Sequence, residues 1–175
     1  MNKHIKQAPV IWLLGLSGAG KTTIAYQLQK LFTEANRSSL ILDGDELRLG
    51  INKDLGFSKN DRAENIRRTA ELASIVSNNG IITICSLITP LQQYRTLAAS
   101  IIGERYYEIF VDCPLEICEQ RDVKGLYQKA KTGELKEFTG ISSSFESPVA
   151  PFLKVHSYTE SSETCARLIF DSIGF

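Results

Sequence analysis

Gly15-Leu16-Ser17-Gly18-Ala19-Gly20-Lys21-Thr22 meets every fixed position of the spacing G-x-x-x-x-G-K-[ST]. Glycines there let the chain turn several backbone N–H groups toward one point, and a helix starting just beyond adds its positive end. Such a loop cradles the phosphates of a nucleoside triphosphate. Lys21 would reach the β- and γ-phosphates, and the Thr22 hydroxyl would ligate Mg2+. The nucleotide is therefore expected among Gly15, Ser17, Gly18, Ala19, Gly20, Lys21, Thr22 and Thr23. Hydrolases, switches and kinases share this loop, so the fate of the phosphate must be read from the rest of the chain.

Asp43 and Asp45 stand two apart in the run Leu42-Asp43-Gly44-Asp45-Glu46-Leu47-Arg48. At the carboxyl end of a strand they would face the ligand crevice of a doubly wound sheet. One of them would hold Mg2+ through water or take a proton from an attacking hydroxyl. An Asp-Gly-Asp turn serves equally to cap a helix. Arg62 and Asn65 lie three apart and share a face if helical. Arg62 would clamp a phosphate or sulfate, and Phe57 before it would stack on a base; the same charges also suit a solvated helix face. A third cluster, from Arg121 through Lys124 to Lys136 and Phe138, is polar, lysine-rich and broken by Gly125 and Gly133. Its span Lys124–Glu137 is expected as a mobile flap outside the core, whose cations would exclude water from the phosphates. A solvated charge run is the alternative.

Strand-length apolar runs alternate with segments of helical period. Strands are predicted at Val10–Leu14, Ser39–Leu42, Ile81–Cys85, Tyr106–Val111 and Leu153–Tyr158. Helices are predicted from Lys21 to about Ala35, over Asp61–Asn78, from Leu91 to Ile102, after Pro114, and over Ser162–Ile173. This alternation predicts an α/β fold: a doubly wound parallel sheet with helices on both faces, of the P-loop NTPase type. The 175 residues suit one domain, 1–175, with a lid over about 121–141.

Twenty basic and twenty acidic side chains cancel, so nothing in the charge balance calls for a nucleic-acid or membrane-surface partner. Any anion site must be built from a few placed cations and backbone amides. Lys3 and Lys6 precede an apolar run, as in a signal peptide. That run enters the glycine loop rather than a cleavage site, so it is expected as a buried strand of a cytoplasmic protein. Cys85, Cys113, Cys118 and Cys165 have neither redox nor zinc-ligand spacing and are expected as thiols in a reducing compartment. His4 and His156 carry no signal.

Taken together, GLSGAGKTT, LDGDELR, NKDLGFSKNDRAENIRR, VDCPLEICEQRDVKGLYQKAKTGELKEFTGI and the Glu146–Pro148 region closely resemble the adenylylsulfate (APS) kinase family. They run in order from Val10 to Pro151, and RDVKGLY followed by FTGI is the most specific part. The resemblance implies a kinase that moves the γ-phosphate of ATP, with Mg2+, to the 3′-hydroxyl of APS, in a homodimer. It implies that Phe57 and Phe138 sandwich the acceptor adenine, and that Arg48, Arg62, Asn65 and Lys124 hold phosphosulfate and ribose. Asp43, with Asp45, would serve Mg2+ or orient the 3′-hydroxyl, and Arg121 would belong to the lid over ATP. The family's Ile-Ser-Pro-(Tyr/Phe)-Arg run reads Ile88-Thr89-Pro90-Leu91-Gln92 here. Ile88 and Thr89 are expected at the acceptor, Thr89 keeping a hydroxyl where the family has serine. Leu91 and Gln92 remove a cation from the rim, and Arg95 is expected to remain. The run Gly140-Ile141-Ser142-Ser143-Ser144-Phe145-Glu146 lacks a family acid and proline, which predicts a looser segment after the flap.

Overall fold

The computed structural model describes residues 7–122, 124–135 and 137–175; Lys3, His4, Lys6 and Lys136 lie outside them. Strands β1 (Val10–Leu14), β2 (Ser39–Asp43), β3 (Ile82–Ser86), β4 (Tyr106–Asp112) and β5 (Leu153–His156) form one sheet. Their order is β2-β3-β1-β4-β5, and every neighbouring pair is parallel. All five residues of β1 are buried, as a central strand covered on both faces requires. The chain leaves β1 toward β2 on one side and later fills β4 and β5 on the other. The carboxyl end of β1 is therefore a topological switch point, where α/β sheets open a crevice.

Alternation along β1 sends Ile11 and Leu13 to one face and Trp12 and Leu14 to the other. On the first face they pack with Leu28 and Phe32 of α1 (Lys21–Glu34) and Ile169 and Phe170 of α7 (Ser162–Ile173). On the second, Trp12 and Leu14 meet Ile66 and Ala70 of α3 (Lys59–Asn78) and Ala98 and Ile102 of α4 (Gln92–Ile102). Each fully buried Leu or Ile contributes about 1.5–3 kcal/mol, so these two layers fix the carboxyl edge of the sheet. The α/β alternation is thus realised as predicted.

Two α-helices were not anticipated. Asp43 caps α2 (Gly44–Leu49), its side chain accepting from the Asp45 N–H at 2.9 Å. After α5 (Leu115–Arg121), the expected flap contains α6 (Leu126–Lys131). Its Tyr127 and Ala130 belong to the core layer with α1, as does Phe138. The stretch therefore contributes to the core instead of lying wholly outside it. Only Leu126, Tyr127 and Ala130 are apolar in α6, too few among lysines to give a readable period. What starts the helix is Asp122, whose carboxylate accepts from the Tyr127 and Gln128 N–H groups, both at 3.0 Å.

The segment after the flap is also held, not loose. Glu146 N donates to Pro90 O at 2.8 Å, and its carboxylate accepts from Gln92 N at 2.6 Å. All four cysteines are buried and free. Among the described residues no helix is long and apolar enough to cross a membrane.

Candidate active site

The glycine loop spans the step from β1 to α1. Gly15 has φ +150°, and a Cβ there would stand 2.5 Å from the Val111 carbonyl oxygen, so only glycine fits. Gly20, at φ +90°, begins α1 with no side-chain cap, leaving first-turn N–H groups for a ligand. Side chains from later elements hold the loop's carbonyls. Ser157 Oγ donates to Ala19 O at 2.7 Å, the Tyr127 hydroxyl to Ser17 O at 2.9 Å, and Arg121 Nη1 to Gly18 O at 3.4 Å. Lys21 Nζ donates to Gly15 O at 3.0 Å and Leu16 O at 2.7 Å. Burial pulls the Lys21 ammonium down to about 8, against the attraction of the Asp43 and Asp45 carboxylates.

Beside the loop, the Thr22 hydroxyl donates to Asp43 Oδ2 at 2.8 Å and lies 3.2 Å from Ser86 Oγ. Asp43 thus caps α2 with one oxygen and meets Thr22 with the other, so capping still leaves one of its oxygens beside the phosphate loop. Ser86 was missed because β3, expected over Ile81–Cys85, lies one residue further along the chain. The rule that carboxyl ends of strands face the crevice would have found it. Among the described residues no three His, Cys, Asp or Glu side chains form a metal cluster. The oxygens of Thr22 and Asp43 suit a hard cation such as Mg2+ that takes its remaining ligands from phosphates and water.

A second group sits across the cleft. Arg48 Nη1 donates to Leu55 O at 3.1 Å and Gly56 O at 3.0 Å, and its guanidinium lies 4.3 Å above the half-exposed Phe57 ring. Arg62 donates to Phe57 O at 2.8 Å, to Thr139 Oγ1 at 3.1 Å and to the Glu137 carbonyl. Asn65 is buried, its side-chain oxygen accepting from Asn52 at 2.9 Å. Burial holds both arginines below their ordinary values, and for Arg48 the nearby positive Arg62 adds to it. Two cations that repel one another in a partly dry site are what an anion would relieve. Lys124 pairs with Asp45 across the mouth.

These groups open into a single cleft of about 1140 Å³, which Phe57 and Phe138 both line. That volume exceeds an ordinary one-ligand pocket. Phe138 is nearly buried and stands edge-on to Tyr127 at 4.9 Å. Ile88 and Thr89 contribute to the wall, but Thr89 does not turn its hydroxyl oxygen freely to the cleft: it accepts from Trp12 Nε1 at 2.9 Å. Arg95 is not a rim cation. It is 1% exposed and donates to Glu146 O at 2.7 Å, because its place in α4, three before Ala98 and seven before Ile102, faces it inward. Sequence reasoning also missed Ser157, Glu160 and Ser162, which line the far end beyond β5. The carboxyl-end rule is again the signal that points to them.

The likeness to known proteins runs along nearly the whole chain. The adenylylsulphate kinase family model matches residues 7–156. The adenylyl-sulfate kinase of Clostridium acetobutylicum is 45% identical over 170 residues, covering 97% of this chain and 85% of that one. That of Saccharomyces cerevisiae is 48% identical over 164 residues, covering 92% and 81%. The APS kinase of Mycobacterium tuberculosis, solved with AMPPNP and APS, superposes with a TM-score of 0.93 at 39% identity, covering 97% of this chain and 99% of that one. A phosphate loop at the switch point of a parallel sheet, a cation-rich pocket facing it and likeness along nearly the whole chain lead to one statement: this chain belongs to the adenylylsulphate kinase family.

Proposed function

We propose that this protein is an adenylylsulfate kinase, converting ATP and APS to ADP and 3′-phospho-APS. The observation that carries the reading is the single cleft with a phosphate loop at one side and Arg48, Phe57, Arg62 and Asn65 at the other. The relatives named adenylyl-sulfate kinase support it, as does the neighbour that binds an ATP analogue and APS together.

In this reading ATP lies on residues 15–23, its far end between Arg121 and the Ser157–Ser162 turn. Lys21 exchanges its two carbonyl partners for the β- and γ-phosphates. Thr22 and Asp43 hold Mg2+, which supplies neutralisation of charge at the phosphates. The acceptor adenine takes the space between Phe57 and Phe138, and Arg48, Arg62, Asn65 and Lys124 meet its phosphosulfate and ribose. Asp45 orients the 3′-hydroxyl once Lys124 turns to the anion. Ile88 and Thr89 wall the acceptor. Transfer through a loose transition state asks mainly for alignment and charge neutralisation, which these groups supply.

The same reading includes one kinase domain over 1–175 and a homodimer. One APS kinase neighbour, from Thiobacillus denitrificans, is hexameric at 26% identity. It also includes a cytoplasmic location, supported by four free buried thiols.

The test is ADP release by the purified protein with ATP, Mg2+ and APS, the product identified by mass and phosphate position. APS-dependent release giving the 3′-phosphate, lost in Lys21→Ala, supports the reading. ATP binding without APS turnover, or turnover only with another nucleotide, sinks it.

A further inference from the structure

The turn Leu87-Ile88-Thr89-Pro90 joins β3 to α4, and each residue is tied to another element. Leu87 N donates to Leu13 O at 3.1 Å, and Ile88 O accepts from Gly15 N at 3.3 Å. Thr89 Oγ1 accepts from Trp12 Nε1 at 2.9 Å, and Pro90 O accepts from Glu146 N at 2.8 Å. The turn therefore touches the first glycine of the phosphate loop on one side and the segment following Phe138 on the other. Thr89 has φ +45°, a left-handed conformation that β-branched residues seldom adopt. Such a conformation persists only where its surroundings over-determine it. Here the surroundings are Trp12, wholly buried, whose indole N–H would otherwise stand unpaired, and Thr89 itself, 2% exposed.

We propose that Thr89 is a positioning residue for the acceptor: its hydroxyl, held by Trp12, locks the turn in the left-handed form that sets Ile88 and Pro90 against the acceptor while Ile88 braces Gly15. The role rests on the functional reading above, since the acceptor is taken to be APS. It differs from that of a phosphate-accepting hydroxyl, because the Thr89 oxygen meets a buried indole and its backbone neighbours touch both halves of the site. No covalent step is involved.

Trp12 is the sole tryptophan of the chain, so its emission reports directly on the contact. Thr89→Val keeps the branching and removes the hydroxyl; Thr89→Ser keeps the hydroxyl. In the valine variant the KM for APS should rise about tenfold, with kcat within about threefold, the pattern of lost acceptor positioning and not of lost transition-state contact. Trp12 emission should shift to shorter wavelength as the indole loses its partner. The serine variant should restore both. If the valine variant does not fold, Trp12→Phe removes the contact from the other side and should raise the APS KM equally. A double variant should add nothing where both single variants fold. An unchanged APS KM in folded valine or phenylalanine variants, a fall in kcat alone, or recovery of phosphate on Thr89 during turnover would overturn the proposal. A wild-type chain that releases no ADP with APS would instead overturn the functional reading, and the emission shift would still tell a made contact from an unmade one.

Discussion

Thr22 at the start of α1 donates its hydroxyl to Asp43 at the end of β2, across 2.8 Å, and the other Asp43 oxygen accepts from the Asp45 N–H. One carboxylate thus caps a helix with one oxygen and, in the proposed reading, offers the other to Mg2+, and the two services can be separated. Asp43→Asn keeps an oxygen for the cap but loses the charge. Its folding stability should fall by no more than about 1 kcal/mol. Its kcat should fall on the order of a hundredfold, and the Mg2+ concentration for half-maximal rate should rise. Thr22→Ser should stay near wild type and Thr22→Val should follow Asp43→Asn. A Mg2+ titration unchanged in Asp43→Asn contradicts the assignment of this pair.

Lys21 gives a pH prediction whose sign is fixed by its burial. Its pKa is lowered from 10.5 to about 8 in the free protein. Between those values the unfolded chain binds the extra proton and the folded one does not, so this residue makes stability rise with pH from about 8 to 10.5, by at most about 3 kcal/mol. Below 8 both states are protonated and the burial cost is constant. Phosphates arriving beside Lys21 favour its charged form, so ATP binding near pH 8.5–9 should take up protons. Calorimetry in buffers of different ionisation enthalpy reads that uptake. The same uptake in Lys21→Met would assign it to another group.

How much of this could be read from the chain depends on the kind of signal. The sheet and its flanking helices were legible because Val10–Leu14 is a continuous buried run and α1, α3, α4 and α7 have regular apolar spacing. The phosphate loop was legible because its glycines answer a local backbone demand. Helix α6 was not, since Tyr127 is fixed by a hydroxyl contact to Ser17 at 2.9 Å, from far along the chain, and not by periodic neighbours. Arg95 was misplaced for the related reason that its burial comes from packing α4 on the sheet, while its residue type argues for the surface. The Thr89–Trp12 bond is invisible in sequence because two chemically ordinary residues meet only after β1 and β3 pair.

Arg62 holds Phe57, Thr139 and Glu137 at once, which binds the Phe57 side of the cleft to the segment beyond α6. Arg62→Ala should raise the APS KM on the order of a hundredfold and speed proteolytic cleavage between about 132 and 142. Arg62→Lys should recover little of either, because an ammonium cannot reproduce the planar fork that meets three acceptors. Kinetics with limited proteolysis reads both effects. If Arg62→Lys matched wild type, charge alone would explain the residue and the bridging role would fall.

Glu146 offers a stability prediction. Helix α4 starts at Gln92 after Leu91, a residue with no side chain to cap it. The Glu146 carboxylate supplies the missing acceptor, taking the Gln92 N–H at 2.6 Å from a position 54 residues away. A cap and a favourable charge at a helix N-terminus together contribute about 1–2 kcal/mol. Glu146→Ala should therefore lower the Tm by roughly 3–8 °C, and Glu146→Gln by less, since its amide oxygen still accepts. The KM for ATP should not move, because Glu146 does not line the cleft. Scanning calorimetry and initial rates check the pair of outcomes. An unaltered Tm in Glu146→Ala would mean that water replaces the carboxylate at the helix start and that Phe145, stacked on Phe110 at 6.0 Å, holds the segment instead.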